Sequence, residues 1–293
     1  GQPPIPLSPE KILPTGPWAG TDPIPAKAHD IWASAMPAAP TLLVLAAGRS
    51  TRFGRPKQLE PVTTDGRTLI DLTMADAVAA GCHLAVLVTS PALESAFRGK
   101  YSDRPRTSIA VQQEPTGTAH AVLQGLANVD GTIVVVNGDD HYGREAVAAA
   151  VHHALNGAAF DHALVGYRLD RTLSPSGGVN RAVCTLDAHG FLASMQEVTG
   201  IRSDGNTVVD ETGTRWEKDR MVSMNLCILR PSLFPLFTEL ADAQRRGEFG
   251  LPEVVQAAIA QGQRFRVIPT EAQWTGLTFA ADADLVRRSL SPE

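Results

Sequence analysis

The sequence predicts an α/β fold: a mostly parallel central sheet flanked by helices, followed by a half of mixed β structure. Three observations predict it. Almost wholly apolar runs recur early, at Thr41–Leu45, Leu84–Thr89 and Thr132–Val136, as strands buried on both faces do. Segments of helical spacing alternate with them, the pattern of parallel strands joined by crossovers. From Ala163 onward the pattern changes to strands separated by turn signals, among them Gly177-Gly178, Asp187–Gly190 and Asp204-Gly205.

Taken in order, residues 1–40 form a Pro-rich N-terminal extension whose ten prolines exclude a long helix or a central strand. Ile5, Leu7, Trp18, Ile31 and Trp32 make it unusually apolar for a solvated tail. The segment is expected to lie along the domain surface or on a partner subunit of a homo-oligomer, with a short helix near Ala26–Ala35; a disordered tail is the alternative. Leu69–Ala80 reads as a helix stopped by Gly81. Ser108–Gln112 is a third strand, Thr118–Leu126 a small-residue helix and Glu145–Leu155 another helix. In the second half Ala163–Tyr167, Ala182–Leu186, Phe191–Glu197 and Ser223–Leu229 read as strands. Leu233–Arg245 and Leu251–Gln261 read as helices, Phe265–Ile268 as a late strand and Asp282–Leu290 as a closing helix. No linker divides residues 41–293, which are expected to form one domain.

Composition narrows the function. A net charge of −5 argues against a dedicated nucleic-acid binder, while leaving room for an anionic substrate on a local basic patch. Cys82, Cys184 and Cys227 are isolated and lack metal-ligand spacing, as buried thiols of a reducing compartment do. No apolar run approaches the roughly 18 residues of a membrane span, and no charged region followed by an apolar stretch opens the chain. The expected location is cytoplasmic, with no membrane partner.

The chemistry is expected to start at TLLVLAAGRSTRFGRPKQL, residues 41–59. Ala46, Ala47 and Gly48 remove side-chain bulk where the strand ends. Arg49, Arg52, Arg55 and Lys57 follow, so backbone N–H groups can approach an anion while cations add charge. This is neither a kinase-type P-loop nor a G-x-G-x-x-G fingerprint. Leu45, Ala47, Gly48, Thr51, Arg52, Pro56 and Lys57 resemble the L-x-A-G-x-G-[TS]-R…P-K signature of the nucleotidyltransferases that make NDP-sugars, with Ser50 where the second glycine usually stands.

That resemblance implies a Rossmann-like nucleotidyltransferase fold with an acceptor-binding second half. It implies nucleotide contacts at Ala47, Gly48, Gln112, Gly117 and Thr118, the last three in the QQEPTGTAHA stretch. The Gln112 amide can donate and accept against a nucleobase edge; His120 reads first as helix packing. Arg52, Lys57 and Asp139 are the implied catalytic residues, with Asp139, in the Gly138-Asp139 that ends a buried strand, as the Mg²⁺ ligand. Asp140 reads as a helix N-cap or a second ligand. Gly178, Glu197 and Asn225 resemble the acceptor-binding positions. The lysine of the family's E-K-P is absent, since Val198 follows Glu197, leaving Arg181 or Arg202 to supply the charge. The family's W-x-D appears as Trp274-Thr275-Gly276, with Asp282 a weak substitute more readily read as a helix start. The implied partners are an NTP and a sugar 1-phosphate, joined with release of pyrophosphate. A cytidylyltransferase for a non-sugar phosphate or phosphonate, or a regulatory nucleotide-binding protein without turnover, stays open.

Overall fold

The structure, a computed structural model, describes residues 39–48, 50, 53–158, 161–175, 177–243, 247–277 and 281–290. The expected coil and short helix of the Pro-rich extension therefore lie outside the described residues.

Strand β1 (Thr41–Ala46) is the centre of the first half. It pairs in parallel with β2 (Leu84–Thr89) on one side and with β4 (Ile133–Asn137) on the other, and β3 (Thr107–Val111) continues the parallel run beyond β2. Helices α1 (Leu69–Ala80), α2 (Glu94–Tyr101) and α3 (Thr118–Leu126) make the crossovers. A short strand β5 (Asp140–His141) and helix α4 (Arg144–Asn156) follow β4. The second half supplies β6 (His162–Arg168), β7 (Val179–Leu186), β8 (Leu192–Asp204), β9 (Thr207–Val209), β10 (Arg215–Trp216) and β11 (Met221–Leu229). After helices α5 (Phe234–Ala243) and α6 (Leu251–Ala260) come β12 (Phe265–Thr270), β13 (Thr275–Gly276) and helix α7 (Asp282–Leu290). Strand β11 joins the halves, running antiparallel to β4, β6 and β7. The result is an eleven-stranded mixed sheet around a parallel core.

The period of two along β1 divides the core. Leu42, Val44 and Ala46 pack with residues of α1, α2 and α4, while Leu43 and Leu45 pack with α3, α5 and α6. Each fully buried aliphatic side chain of this kind contributes about 1.5–3 kcal/mol. A third, smaller cluster joins Phe53, Val62 and Leu69 to Leu277, Ala283 and Val286, tying α7 to the segment that follows β1. Arg287 of α7 reinforces this with a 2.6 Å ion pair to Glu60.

Several sequence expectations change. Helix α2 was not expected: ESAFRGKY offers only Phe97 and Tyr101 to the core. Strand β8 runs seven residues past Glu197, to Asp204. Leu233 belongs to a 3₁₀ turn ahead of α5. Asp140 caps no helix, because it lies in β5 and the N-cap of α4 is Gly143.

Helix α2 also completes a buried charge site. Asp71 and Thr68 form a capping box at the start of α1, and Asp71 receives Lys100 at 3.1 Å and Arg104 at 2.7 Å. Burial pushes the Asp71 pKa up, but the Thr68 N–H and the two cations outweigh it, so it lies below the usual aspartate value. This stabilisation is present above the unfolded-state pKa and is lost as pH falls through the folded one. Asp71→Ala removes the box and leaves two cations unpaired, and should cost on the order of 2–4 kcal/mol in urea unfolding. The variant's stability should also fall less steeply than the parent's between neutral and acid pH.

Candidate active site

Parallel pairing sets the geometry. Leu45 of β1 stands beside Asn137 of β4, so the loop after β1 and the turn after β4 leave the sheet at the same edge. Ligands of open α/β sheets bind at such carboxyl ends.

The loop after β1 is closed by Gln58, a buried residue that sequence reasoning passed over. Its Nε2 donates to the Gly48 carbonyl at 2.8 Å and its Oε1 accepts from the Ser50 hydroxyl at 3.0 Å. Ser50 has φ 52°, a left-handed conformation that glycine adopts without strain. This accounts for a second glycine at that position in the motif; here the Ser50 side-chain bonds hold the conformation instead. Arg55, expected to face phosphate, forms a bidentate pair with Glu60 at 2.7 Å. Arg49, Thr51 and Arg52 lie outside the described residues. Lys57 begins the next 3₁₀ turn and its ammonium pairs with the Asp139 carboxylate.

Among the described residues three clefts open at this edge, and two of them share Lys57 and Asp139. The first, of about 330 Å³, is lined by Ala47, Gly48, Lys57, Gln112, Gly117, Thr118 and Asp139, among others. A Cβ at Gly48 would meet the protein only at 3.6 Å, on Gln58 Nε2; the glycine keeps the cleft open rather than making room for the chain. Gly117 differs. Its φ is 114° and a Cβ there would lie 2.3 Å from the Phe249 carbonyl oxygen. Around it the Phe249 N–H donates to the Thr116 carbonyl, the Ala119 N–H to the Phe249 carbonyl, and the Leu251 N–H to Thr118 Oγ1. The loop before α3 is thereby fastened to the start of α6.

The second cleft, of about 380 Å³, shares Lys57, Thr118, Asn137, Asp139 and Glu248 with the first and adds Asp140, Arg181, Glu197, Asn225 and Trp274. Asn225 sits at φ 63° where the β11 register against β6 shifts. Such a bulge re-aims side chains, and Asn225 Nδ2 donates to Asn137 Oδ1 at 3.4 Å. Gly178 lines neither cleft; a Cβ there would press on the Gly200 backbone at 3.1 Å. Of the two arginines weighed for the missing lysine, Arg181 lines the second cleft, while Arg202 turns to the Gly200 and Asp210 carbonyls. The Arg181 guanidinium lies 4.6 Å over the Trp274 ring and donates to Thr172 and to the Asn180 carbonyl. Burial pushes its pKa down to about 10, so it stays charged at neutral pH.

Asp140 is buried, and its Oδ2 accepts from Asn137 Nδ2 at 2.8 Å. Burial first, and then the neighbouring Asp139, pushes its pKa up to about 7. A Cβ at Gly276 would stand 2.7 Å from Asp140 Oδ1. The carboxylate of Asp140 thus fills the space beside position 276, where the W-x-D pattern would carry its own aspartate. Asp282 is a buried residue at the start of α7 and lines neither cleft. Cys82, Cys184 and Cys227 are free and buried, and no described helix is long and apolar enough to cross a membrane.

A mixed sheet with a parallel core thus carries two clefts that meet at a lysine–aspartate pair. The chain belongs to the family of MobA-like NTP transferase domains, whose model matches residues 42–258. It is therefore a nucleotidyltransferase by family. It is 29% identical over 227 residues to the bifunctional protein GlmU of Methylibium petroleiphilum, covering 75% of this chain and 46% of that protein. The GlmU of Thermodesulfovibrio yellowstonii is 25% identical over 254 residues, covering 85% of this chain and 52% of the other. The chain thus spans about half the length of these relatives. The fold is shared with the inositol-1-phosphate CTP transferase from T. maritima, at a TM-score of 0.64 and 17% identity, over 88% of this chain and 100% of that one.

The two glycines allow a paired test. Gly117→Ala forces both a strained φ and a backbone clash, and should cost on the order of 2–4 kcal/mol of stability in a denaturant melt. Gly48→Ala should change stability by less than about 0.5 kcal/mol, yet weaken NTP binding measured by calorimetry.

Proposed function

We propose that this protein transfers the NMP group of an NTP to a sugar 1-phosphate, forming an NDP-sugar and pyrophosphate. The observation that carries this reading is that the two clefts share Lys57 and Asp139. A nucleotide in the first cleft and a phosphate acceptor in the second would meet at that pair. An oxygen of the acceptor phosphate attacks the α-phosphorus, the bond from that phosphorus to its β-bridging oxygen breaks, and pyrophosphate leaves. The acceptor is already ionised, so no protein nucleophile is needed; positioning and charge neutralisation do the work.

Each residue then has a role. Ala47, Gly48, Gly117 and Thr118 hold the nucleotide, with the bare backbone near the phosphates. Lys57 places a cation where charge develops on the leaving oxygen, and Asp139 keeps that cation at the junction. Arg52 belongs to the same proposed phosphate cradle. Glu197 and Asn225 bind the acceptor, and Arg181 supplies the positive charge of that cleft in place of the lysine that Val198 lacks.

Among the described residues no three His, Cys, Asp or Glu side chains cluster to hold a metal. Asp139 and Asp140 nevertheless suit Mg²⁺, which is commonly held by one or two carboxylates beside phosphate oxygens. Asp140 Oδ1 faces the bare Gly276 and accepts from no described donor. The ion would add Lewis-acid neutralisation of the phosphates. A second reading is a cytidylyltransferase for a non-sugar phosphate. It is favoured by the missing lysine beside Glu197, and the fold itself is shared with a protein named as an inositol-1-phosphate CTP transferase.

Pyrophosphate release across four NTPs and a panel of sugar 1-phosphates, polyol phosphates and phosphonates separates these readings. Turnover is expected only with sugar 1-phosphates; turnover confined to CTP and a non-sugar acceptor would replace the first reading with the second. Lys57→Met should retain the melting temperature and lose about 10²–10³ in rate. Near-full activity in a normally folded Lys57→Met variant would remove Lys57 from the chemistry.

A further inference from the structure

The first cleft contains a hydrogen-bond relay that the sequence motif does not describe. Gln112 follows β3 and is 3% exposed, and it lines the cleft. Its Nε2 lies 3.1 Å from the Gly117 carbonyl oxygen and 3.1 Å from His120 Nδ1. A carbonyl oxygen can only accept, so the nitrogen of the amide must face Gly117, and the amide cannot turn over without losing that bond. The Gly117 carbonyl is itself held by the Ala121 N–H of α3, which donates to it at 3.1 Å.

The second hydrogen of Nε2 points at His120 Nδ1, which must then carry a lone pair. The ring proton consequently sits on Nε2, 3.2 Å from the end of the Gln124 side chain. The Gln124 atom placed there is Nε2; an amide's oxygen and nitrogen exchange by a flip, and only the flipped amide, with Oε1 toward the ring, accepts this proton. Read outward from the protein, the relay is Gln124, neutral His120, Gln112, then Gly117. Both Gln112 hydrogens are consumed inside it. No described donor reaches Gln112 Oε1, and that oxygen is what the side chain leaves for the cleft.

We propose that the cleft reads its nucleobase through Gln112 Oε1 as a lone acceptor, and that His120 is a positioning residue that holds this polarity together with the Gly117 carbonyl. This rests on the reading of the first cleft as the nucleotide site, and changes what Gln112 does there. A free glutamine amide can rotate to satisfy either a donor or an acceptor on the base edge. A clamped one admits only a base that presents an N–H, because lone pairs would otherwise face each other in a buried site.

The test is equilibrium binding by calorimetry, without acceptor, to the full chain. The ligands are the natural NTP that binds best and its analogue lacking the base N–H: 4-deamino for CTP, 6-deamino for ATP, N3-methyl for UTP, and N1-methyl-2-deamino for GTP. The analogue is expected to bind on the order of 10–100-fold more weakly to the wild type. His120→Phe keeps the ring volume and removes one of the two acceptors that hold Nε2, leaving the Gly117 carbonyl alone to resist a turn of the amide, so the gap should narrow severalfold. His120→Asn can offer Oδ1 where Nδ1 stood and should restore the gap, which loss of packing alone would not do. Equal binding of NTP and analogue by the wild type overturns the proposal without any variant. An undiminished gap in folded His120→Phe removes His120 from it. Failure of every NTP to bind the wild type would overturn it together with the parent reading, and is distinguishable from both.

Discussion

The structure depends on one constraint: β1 and β4 are parallel neighbours that end together. Because Leu45 stands against Asn137, the loop carrying Lys57 and the turn carrying Asp139 converge whatever their own preferences. Their ion pair is only partly buried, with the side chains 19% and 22% exposed, so its own contribution to stability is small. Its importance is positional. It holds the ends of two sequence segments at the point where both clefts open.

The second cleft is built differently. Strand β11 crosses from the parallel half to the mixed half, and its irregular register delivers Asn225 toward Asn137. Arg181, stacked on Trp274, places a cation in the lining of the same cleft. With no side chain at Gly276, the adjacent volume is taken by the Asp140 carboxylate. Neither feature follows from the spacing of motif residues, because each joins segments more than 80 positions apart in the chain.

Much of the fold was legible because β1, β2 and β4 are buried on both faces and therefore read as unbroken apolar runs. Helix α2 was not legible, since a single buried i, i+4 pair leaves almost no periodic signal. The N-cap expectation at Asp140 came from chain proximity to α4, and β5 pairing with β13 from the far end of the chain displaced it. For the site, the sequence placed Lys57, Gln112, Gly117 and Asp139 in segments that the structure brings to one cleft. It could not show that Arg55 is taken by Glu60, that Gly178 is a packing position, or that Gln58 closes the loop. These depend on side-chain partners that spacing alone does not encode. Ser50 was readable as a departure, and its positive φ supplies the reason.

In the proposed reaction the α-phosphate of the nucleotide lies between Lys57 and Asp139 with the base against Gln112. A crystal structure with a non-hydrolysable NTP analogue and Mg²⁺ tests it directly. The α-phosphate is expected within contact distance of the Lys57 ammonium, the metal on the Asp139 carboxylate and the base at the Gln112 end of the first cleft. A triphosphate bound elsewhere, with the Lys57–Asp139 pair undisturbed, would contradict it.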